Sequence, residues 1–464
     1  MKGPEALGAS FRDPAGFVFR ENGVVKRAVT EYGKANYELL MSSGLYQSLV
    51  AQKKLVSHET APGNLSALYK VLVPEQIPVI TYPYEWSFSQ LKDAAILTLE
   101  IELEALKNSL SLKDATPFNI QFLNGRPIFL DTLSFEKYED KPWAGYKQFC
   151  EFFLAPLVLM SRIKPDFNRY LAVDMAGISL EFTSRLLPRS TFFNFGFLSH
   201  IHLHAASQAK YDNAAKQNPE MSKKIASLRV SKMSRSGLVD NLLSTIKSLK
   251  IEKKRTSFGS YYATCDHYSS EADNFKQEQI KKWTASSSVA QVLDLGGNNG
   301  KYSRIFTEKG IAAVCVDADP YCVDENYLLS QKNADQCMLP LLIDLSNLTP
   351  ALGWMGQERM SLLERVKPNL VLSLALIHHL RITAGISMAR LADFFAQWKS
   401  ALVIEFVPKE DIKVKELLAV RKDIFTDYSE SDFEREFGRH FNAREKARIP
   451  GTERTLYYFF PRAS

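Results

Sequence analysis

Val292-Leu293-Asp294-Leu295-Gly296-Gly297-Asn298-Asn299-Gly300 decides how this chain is read. An apolar run reaches an acid, turns through glycines and continues into Lys301-Tyr302-Ser303-Arg304-Ile305-Phe306. That order predicts a buried strand, a tight loop and a helix. Glycine lets the backbone approach a ligand where a Cβ would collide. In an open α/β sheet such a loop lies at the carboxyl end of its strand, where ligands bind. The spacing is not that of a three-glycine dinucleotide loop. No Gly-Lys-Ser/Thr follows to make a phosphate loop.

Working outward, Ile311 to Val316 reads as a second buried strand ending at Asp317. Asp294 and Asp317 stand 23 positions apart, one strand-helix-strand unit. An acid there suits the two hydroxyls of a ribose. Leu339 to Ile343 is a third strand and ends at Asp344. Pro368 to Leu376 is a fourth, followed by Ile377-His378-His379-Leu380, and Ala401 to Val407 is a fifth. Ala443 to Ile449 and Arg454 to Phe460 flank Pro450-Gly451-Thr452 and read as a closing antiparallel hairpin.

This series resembles the class I S-adenosylmethionine-dependent methyltransferases, whose α/β, Rossmann-like sheet has seven strands. The resemblance covers roughly the last 200 residues and rests on five strand ends in order. It implies S-adenosylmethionine as cofactor. The methionine part would be wrapped by Asp294, Gly296, Gly297, Asn298 and Gly300. Asp317 would hold the ribose, and Asp344 would lie beside the adenine. Two positions depart from the family pattern. Asn298 stands where a middle glycine is usual, and Asn369 where strand four usually begins with Asp. Asn tolerates left-handed backbone angles, so the loop geometry survives. Any one of these acids also has a plainer reading as a turn or helix cap; Asp319-Pro320 reads as the start of the next helix.

Methyl transfer is an in-line displacement that needs an oriented acceptor and a place for its proton, and no metal. His378 and His379 are the acceptor-side candidates, because a neutral imidazole takes a proton near pH 7. One is expected to face the site and the other to cap or pack. Glu405 is expected to pair with the acceptor or with Arg381. Tyr262 and Tyr268, ahead of the first strand, read equally as lid or as core. The expected acceptor is an oxygen or nitrogen of a small molecule or glycan; RNA and protein acceptors stay open.

The chain has 464 residues, 45% hydrophobic and 24% charged, ordinary for a globular protein of two or three domains. No apolar run is long enough to span a bilayer. Phe149 to Ile163 is interrupted by Glu151, Pro156 and Arg162 and predicts a buried helix. Five unpaired-looking cysteines and the lack of a secretory signal pattern suggest a reducing cytoplasm. The net charge of +6 is uneven: from Ser207 to Thr256 there are 12 Lys or Arg against 4 Asp or Glu. With Tyr211 as its one aromatic, that stretch reads as a solvated connector and less as a nucleic-acid contact. The expected division is 1–205, a connector 206–256, and a methyltransferase domain 257–464.

The first domain reads as α+β. Gly16 to Val29 predicts a hairpin turning at Glu21-Asn22-Gly23, Glu31 to Leu49 a helix, and Ser89 to Ser109 another. Asp114, Asn119 and Asp131 then fall at the spacing of a protein-kinase-like catalytic and metal loop. Asn124-Gly125 turns a hairpin that would bring Asn119 and Asp131 together around one cation, with ATP and Mg²⁺ as the implied ligands. The family's glycine-rich loop is missing, Thr132-Leu133 replaces Phe-Gly, and only Lys26 and Lys34 are candidates for a phosphate lysine. A plain α+β domain with a polar hairpin stands beside the kinase-like reading. His200, His202 and His204 read as packing residues, since no acid or cysteine lies nearby in sequence to complete a metal site. Taken whole, the chain resembles nodulation-protein-related bacterial methyltransferases.

Overall fold

The computed structural model describes residues 5–62, 68–207, 228–252 and 270–462. The chain divides into two compact units: Met1–Glu252 with Pro350–Met360, and Lys253–Thr349 with Ser361–Ser464.

In the first unit, β1 (Glu5–Ala6), β2 (Gly16–Glu21), β3 (Val24–Val29), β4 (His58–Thr60) and β5 (Lys70–Pro74) form an antiparallel sheet in the order β1-β2-β3-β5-β4. Asn22 (φ 51°) and Gly23 (φ 83°) supply the two left-handed residues that a two-residue hairpin turn requires. The helix expected over 31–49 is broken. It runs Glu31–Ser42 and resumes at Leu45–Ala51, because Gly44 adopts φ 81°. The helix Phe88–Lys107 is buried along most of its length and starts at a Ser87/Gln90 capping box. After it come β6 (Leu110–Leu112), β7 (Ile120–Leu123), β8 (Arg126–Phe129) and β9 (Phe135–Lys137), pairing as β6-β9 and β7-β8.

The stretch expected as a solvated connector contains a helix, Lys232–Ser248, packed against Phe88–Lys107. Its Val239, Leu242 and Ile246 are fully buried. Arg235 is buried as well and donates to Ser111 Oγ at 3.1 Å and to the carbonyls of Glu139 and Lys141. Charge counting hid an apolar stripe at helical spacing.

The second unit is one seven-stranded sheet: β10 (Gln291–Leu295), β11 (Ala312–Asp317), β12 (Met338–Leu342), β13 (Leu370–Ser373), β14 (Ala401–Phe406), β15 (Phe441–Arg448) and β16 (Thr455–Pro461). Its order is β12-β11-β10-β13-β14-β16-β15. β10 to β14 run parallel, and β16 is antiparallel to both β14 and β15. Counted in chain order this is 3-2-1-4-5-7-6, the class I methyltransferase fold. The parallel strands are covered on both faces, which is why they read as continuous apolar runs. β15 is the exposed edge, and its Arg444, Glu445, Lys446 and Arg448 keep that edge from pairing further. The helix Ser270–Thr284 lays Ala272, Ile280 and Trp283 on the core, with Trp283 stacked on Tyr458. Among the described residues no helix is long and apolar enough to cross a membrane.

Candidate functional site

A cavity of about 860 Å³ opens at the carboxyl ends of β10, β11, β12 and β13. That is the crevice where the strand order reverses, the expected ligand position in an open α/β sheet. Asp294, Gly296, Gly297, Asn298, Asp317, Asp344 and His379 all line it.

The glycine loop has the shape its residues demand. Gly296 (φ 74°), Asn298 (φ 52°) and Gly300 (φ 79°) all adopt left-handed angles. A Cβ on Gly297 would lie 2.5 Å from Cys315 Sγ and 2.8 Å from the Asp294 carboxylate. One on Gly300 would lie 2.6 Å from Asn326 Nδ2. Asn298 therefore does the work of the missing glycine, because Asn is the side chain that enters the left-handed region most readily. Its backbone N–H donates to Asp317 Oδ2 at 2.8 Å, tying the loop to the end of β11.

Asp317 also accepts from the Asp319 N–H at 2.9 Å, and Asp294 accepts from Ser303 Oγ at 2.7 Å. Burial raises both carboxyls to about 6, and the charge of Asp317 adds to the rise at Asp294. Asp319 does cap the next helix, accepting from the N–H groups of Tyr321 and Cys322. Asp344 accepts from Ser346, through both its backbone N–H and its hydroxyl. Asn369, the second departure from the family pattern, has a structural use. Its Oδ1 accepts from the Ala290 and Gln291 N–H groups, and its Nδ2 donates to Ser288 O at 2.7 Å. It fixes where β10 begins.

His378 and His379 separate. Their rings lie 4.2 Å apart. His379 lines the cavity, whereas His378 is 2% exposed and its Nδ1 has no hydrogen-bond partner among the described residues. Burial, then the nearby charge of Arg454, lowers His379 to about 4, so its imidazole is neutral at pH 7. Burial lowers His378 further.

Glu405 does not pair with Arg381, which instead meets Asp427. Glu405 is fully buried and accepts from Arg454 Nη1 and Lys276 Nζ, both at 3.1 Å, and from the Ala375 N–H at 3.1 Å. Arg454 also grips Asp411 at 2.7 Å. Lys276 lines the cavity, with its ammonium 4.8 Å from the centre of the Tyr302 ring. Asp273, one turn earlier, accepts from Lys301 Nζ at 2.6 Å and Tyr302 Oη at 2.8 Å. This network joins the covering helix, the glycine loop and the ends of β13 and β14. Removing one partner of such a buried pair costs about 3–5 kcal/mol. The sequence offered one signal for Lys276 and Asp273, their helical spacing ahead of β10, and it was not read. Tyr262 and Tyr268 lie outside the described residues.

In the first unit Asp114, Asn119 and Asp131 do come together. Asn119 hydrogen-bonds to Asp114. Its Nδ2 also donates to Ser134 Oγ at 3.4 Å, and Ser134 Oγ donates to Asp131 Oδ2 at 2.6 Å. Burial and then the charge of Asp131 raise the Asp114 carboxyl above its ordinary range. A cation already meets this group: Arg27 Nη2 lies 2.8 Å from Asp131 Oδ1 and 2.9 Å from Asp13 Oδ2. Lys26 pairs with Glu21, and Lys34 sits over the Tyr69 ring and near Glu31. Among the described residues no three His, Cys, Asp or Glu side chains are grouped to hold a metal. The ATP and Mg²⁺ reading thus has no support beyond the spacing that suggested it.

The three histidines are packed. His200 bonds Tyr146 Oη and Asn241 Oδ1, His202 bonds Ser184 and Thr191 and stacks on Phe192, and His204 stacks on Tyr146.

No protein-family model matches the chain. Among solved structures it is similar to the N-methyltransferase NodS of Bradyrhizobium japonicum WM9 in complex with S-adenosyl-L-homocysteine. That match has 12% identity and TM-score 0.33, over 45% of this chain and 97% of that one. It is also similar to the magnesium protoporphyrin IX methyltransferase of Synechocystis PCC 6803 with bound S-adenosyl-L-homocysteine. There the identity is 13% and the TM-score 0.30, over 41% of this chain and 84% of that one. The fold assignment rests on the strand order itself. Among curated proteins the nodulation protein NoeA of Rhizobium meliloti (strain 1021) is 33% identical over 463 residues, which is 98% of this chain and 96% of that protein. An identity of that size, sustained through both units, shows that the chain belongs to the nodulation protein NoeA family.

Proposed function

We propose that the second unit binds S-adenosylmethionine in the cavity at the ends of β10 to β13 and transfers its methyl group to an oxygen or nitrogen of a small-molecule or glycan acceptor. One observation carries the reading: a cavity of ligand size, lined by a left-handed glycine loop and by Asp294, Asp317 and Asp344 at three successive strand ends. The loop leaves room that any Cβ would take, and the three carboxylates suit a cationic ligand rich in hydroxyls. When bound, the cofactor supplies a methyl group on a positively charged sulfur. Asp317 accepts hydrogen bonds from the ribose, Asp344 stands at the adenine side, and Asp294 holds the loop through Ser303. His379, neutral and on the wall, orients the acceptor and takes its proton. Leu380, Thr383 and Ala384 continue that wall.

The balance of charge favours a small acceptor over a nucleic acid. Asp273, Asp294, Asp317, Asp319 and Asp344 line the cavity against Lys276 and Lys301. A phosphate backbone needs the opposite balance. Calorimetry with S-adenosylmethionine and, separately, with ATP and Mg²⁺ tests the reading. Binding of the first alone is expected, and no heat with S-adenosylmethionine on the intact chain would refute it.

A further inference from the structure

Past β12 the chain leaves the cavity wall at Ile343–Ser346 and, five residues later, enters a short hairpin at Leu352 that groups with the first unit. The hairpin is built to hold its own shape. Leu352 N donates to Arg359 O at 3.0 Å, and Arg359 N donates to Leu352 O at 3.1 Å. Gly353 takes φ 82°, where a Cβ would press on Glu358, and Glu358 Oε1 accepts from Trp354 N at 2.8 Å.

The first unit grips it at four points. Arg12 Nη2 meets Glu358 Oε1 at 2.6 Å, and Glu358 is 6% exposed. The Arg359 guanidinium lies 4.3 Å from the centre of the Phe118 ring. Tyr82 Oη accepts from Met360 N at 2.8 Å. Gly8 passes so close to the Gln357 carbonyl that a Cβ there would collide with it. Each grip is ordinary alone; together they fix a loop that a simple sheet connection would leave free. The chain then returns through Ser361 to β13, whose far end supplies Leu374–Leu376 to the same cavity.

We propose that this arm, Leu352–Met360, is a tether through which the first unit sets the order of the cofactor pocket's wall. A loop held at its middle samples fewer conformations, so less order is lost when a ligand closes on it. The first unit then acts on methyl transfer without touching the reacting atoms, and Arg12 and Tyr82 are positioning residues. The ligand named in the test rests on the methyltransferase reading; the ordering of the wall does not.

The test uses the full chain and the variant Arg12→Glu/Tyr82→Phe, which removes two grips and alters neither the hairpin nor the cavity. Amide hydrogen exchange is read at 343–349, and S-adenosylmethionine affinity by calorimetry. Faster exchange at 343–349 and affinity weaker by about fivefold or more are expected, with Arg12→Lys alone staying near wild type. Unchanged exchange in the double variant overturns the proposal. So does faster exchange with unchanged affinity in a chain that binds the cofactor. Wild-type protein that binds no S-adenosylmethionine strikes the methyltransferase reading, and the exchange comparison still decides whether the arm orders the wall.

Discussion

Two groups of buried acids invite comparison. In the first unit Asp131 is answered by Arg27, and Asp13 shares the same guanidinium. In the second, Asp294 and Asp317 are met by a hydroxyl and by backbone N–H groups, and a cavity opens in front of them. Spacing in sequence suggested both groups. The difference lies in how each charge is balanced. A carboxylate satisfied by the protein's own cation is a structural joint. One left with raised affinity for a proton beside an open cavity is a place for something else to bind.

The sharpest way to break this contrast is Gly296→Val. Gly296 holds φ 74°, and a Cβ there would already lie 3.0 Å from Leu376 Cδ1. S-adenosylmethionine binding should fall below detection by calorimetry, with circular dichroism reporting whether the sheet survives. Asp317→Ala should act less severely. Losing a charge-assisted bond to a ribose costs on the order of 1–3 kcal/mol, so affinity should drop about 10- to 100-fold. Unchanged affinity in a folded variant would remove the role given to the end of β11.

The third prediction concerns pH. Asp294 and Asp317 titrate near 6 in the fold against an ordinary 3.8. With the folded values raised, the stability these groups contribute is complete below the unfolded value and is lost as pH rises through about 6. The unliganded protein should therefore lose some melting temperature between pH 4 and about 6.5 on their account. Cofactor affinity should move the opposite way, since the charged carboxylates are the acceptors. Titrations from pH 5 to 8 should show binding tighten through about 6. A flat profile would mean that these acids do not face the ligand.

The smallest effect belongs to the first unit. Asp131→Asn weakens the Arg27 pair and should lower the melting temperature by the equivalent of about 1–2 kcal/mol. ATP with Mg²⁺ should shift neither protein. A shift in the wild type that the variant loses would restore a nucleotide site to this unit.

Much of the second unit was legible because a parallel sheet writes each strand as an apolar run and each ligand position as its end. Asp294, Asp317 and Asp344 could be placed by counting. The partners of Glu405 could not. Lys276 lies 129 positions before it and Arg454 lies 49 after it, and no local pattern joins them. His379 and His378 are neighbours in sequence, so only the turn that begins at His379 decides which one reaches the cavity. The arm was hidden for the same reason as the buried Arg235: its contacts are made by residues hundreds or scores of positions away. The expected connector misled because composition reports charge, whereas Val239, Leu242 and Ile246 report the helix face.

The Glu405 network also sets an order of assembly. Glu405 and Asp411 are buried on and just after the fifth strand, and Arg454, which meets both, is carried just ahead of β16, the last strand in the sequence. During synthesis the glycine loop, the acids of the first three strands and both histidines emerge well before that arginine does. Until it arrives, two carboxylates face the interior without their main counter-charge, a state too costly to persist. The methyltransferase sheet should therefore close in one late step, when the final hairpin threads β16 beside β14. Nascent chains halted before residue 454 should remain open to protease.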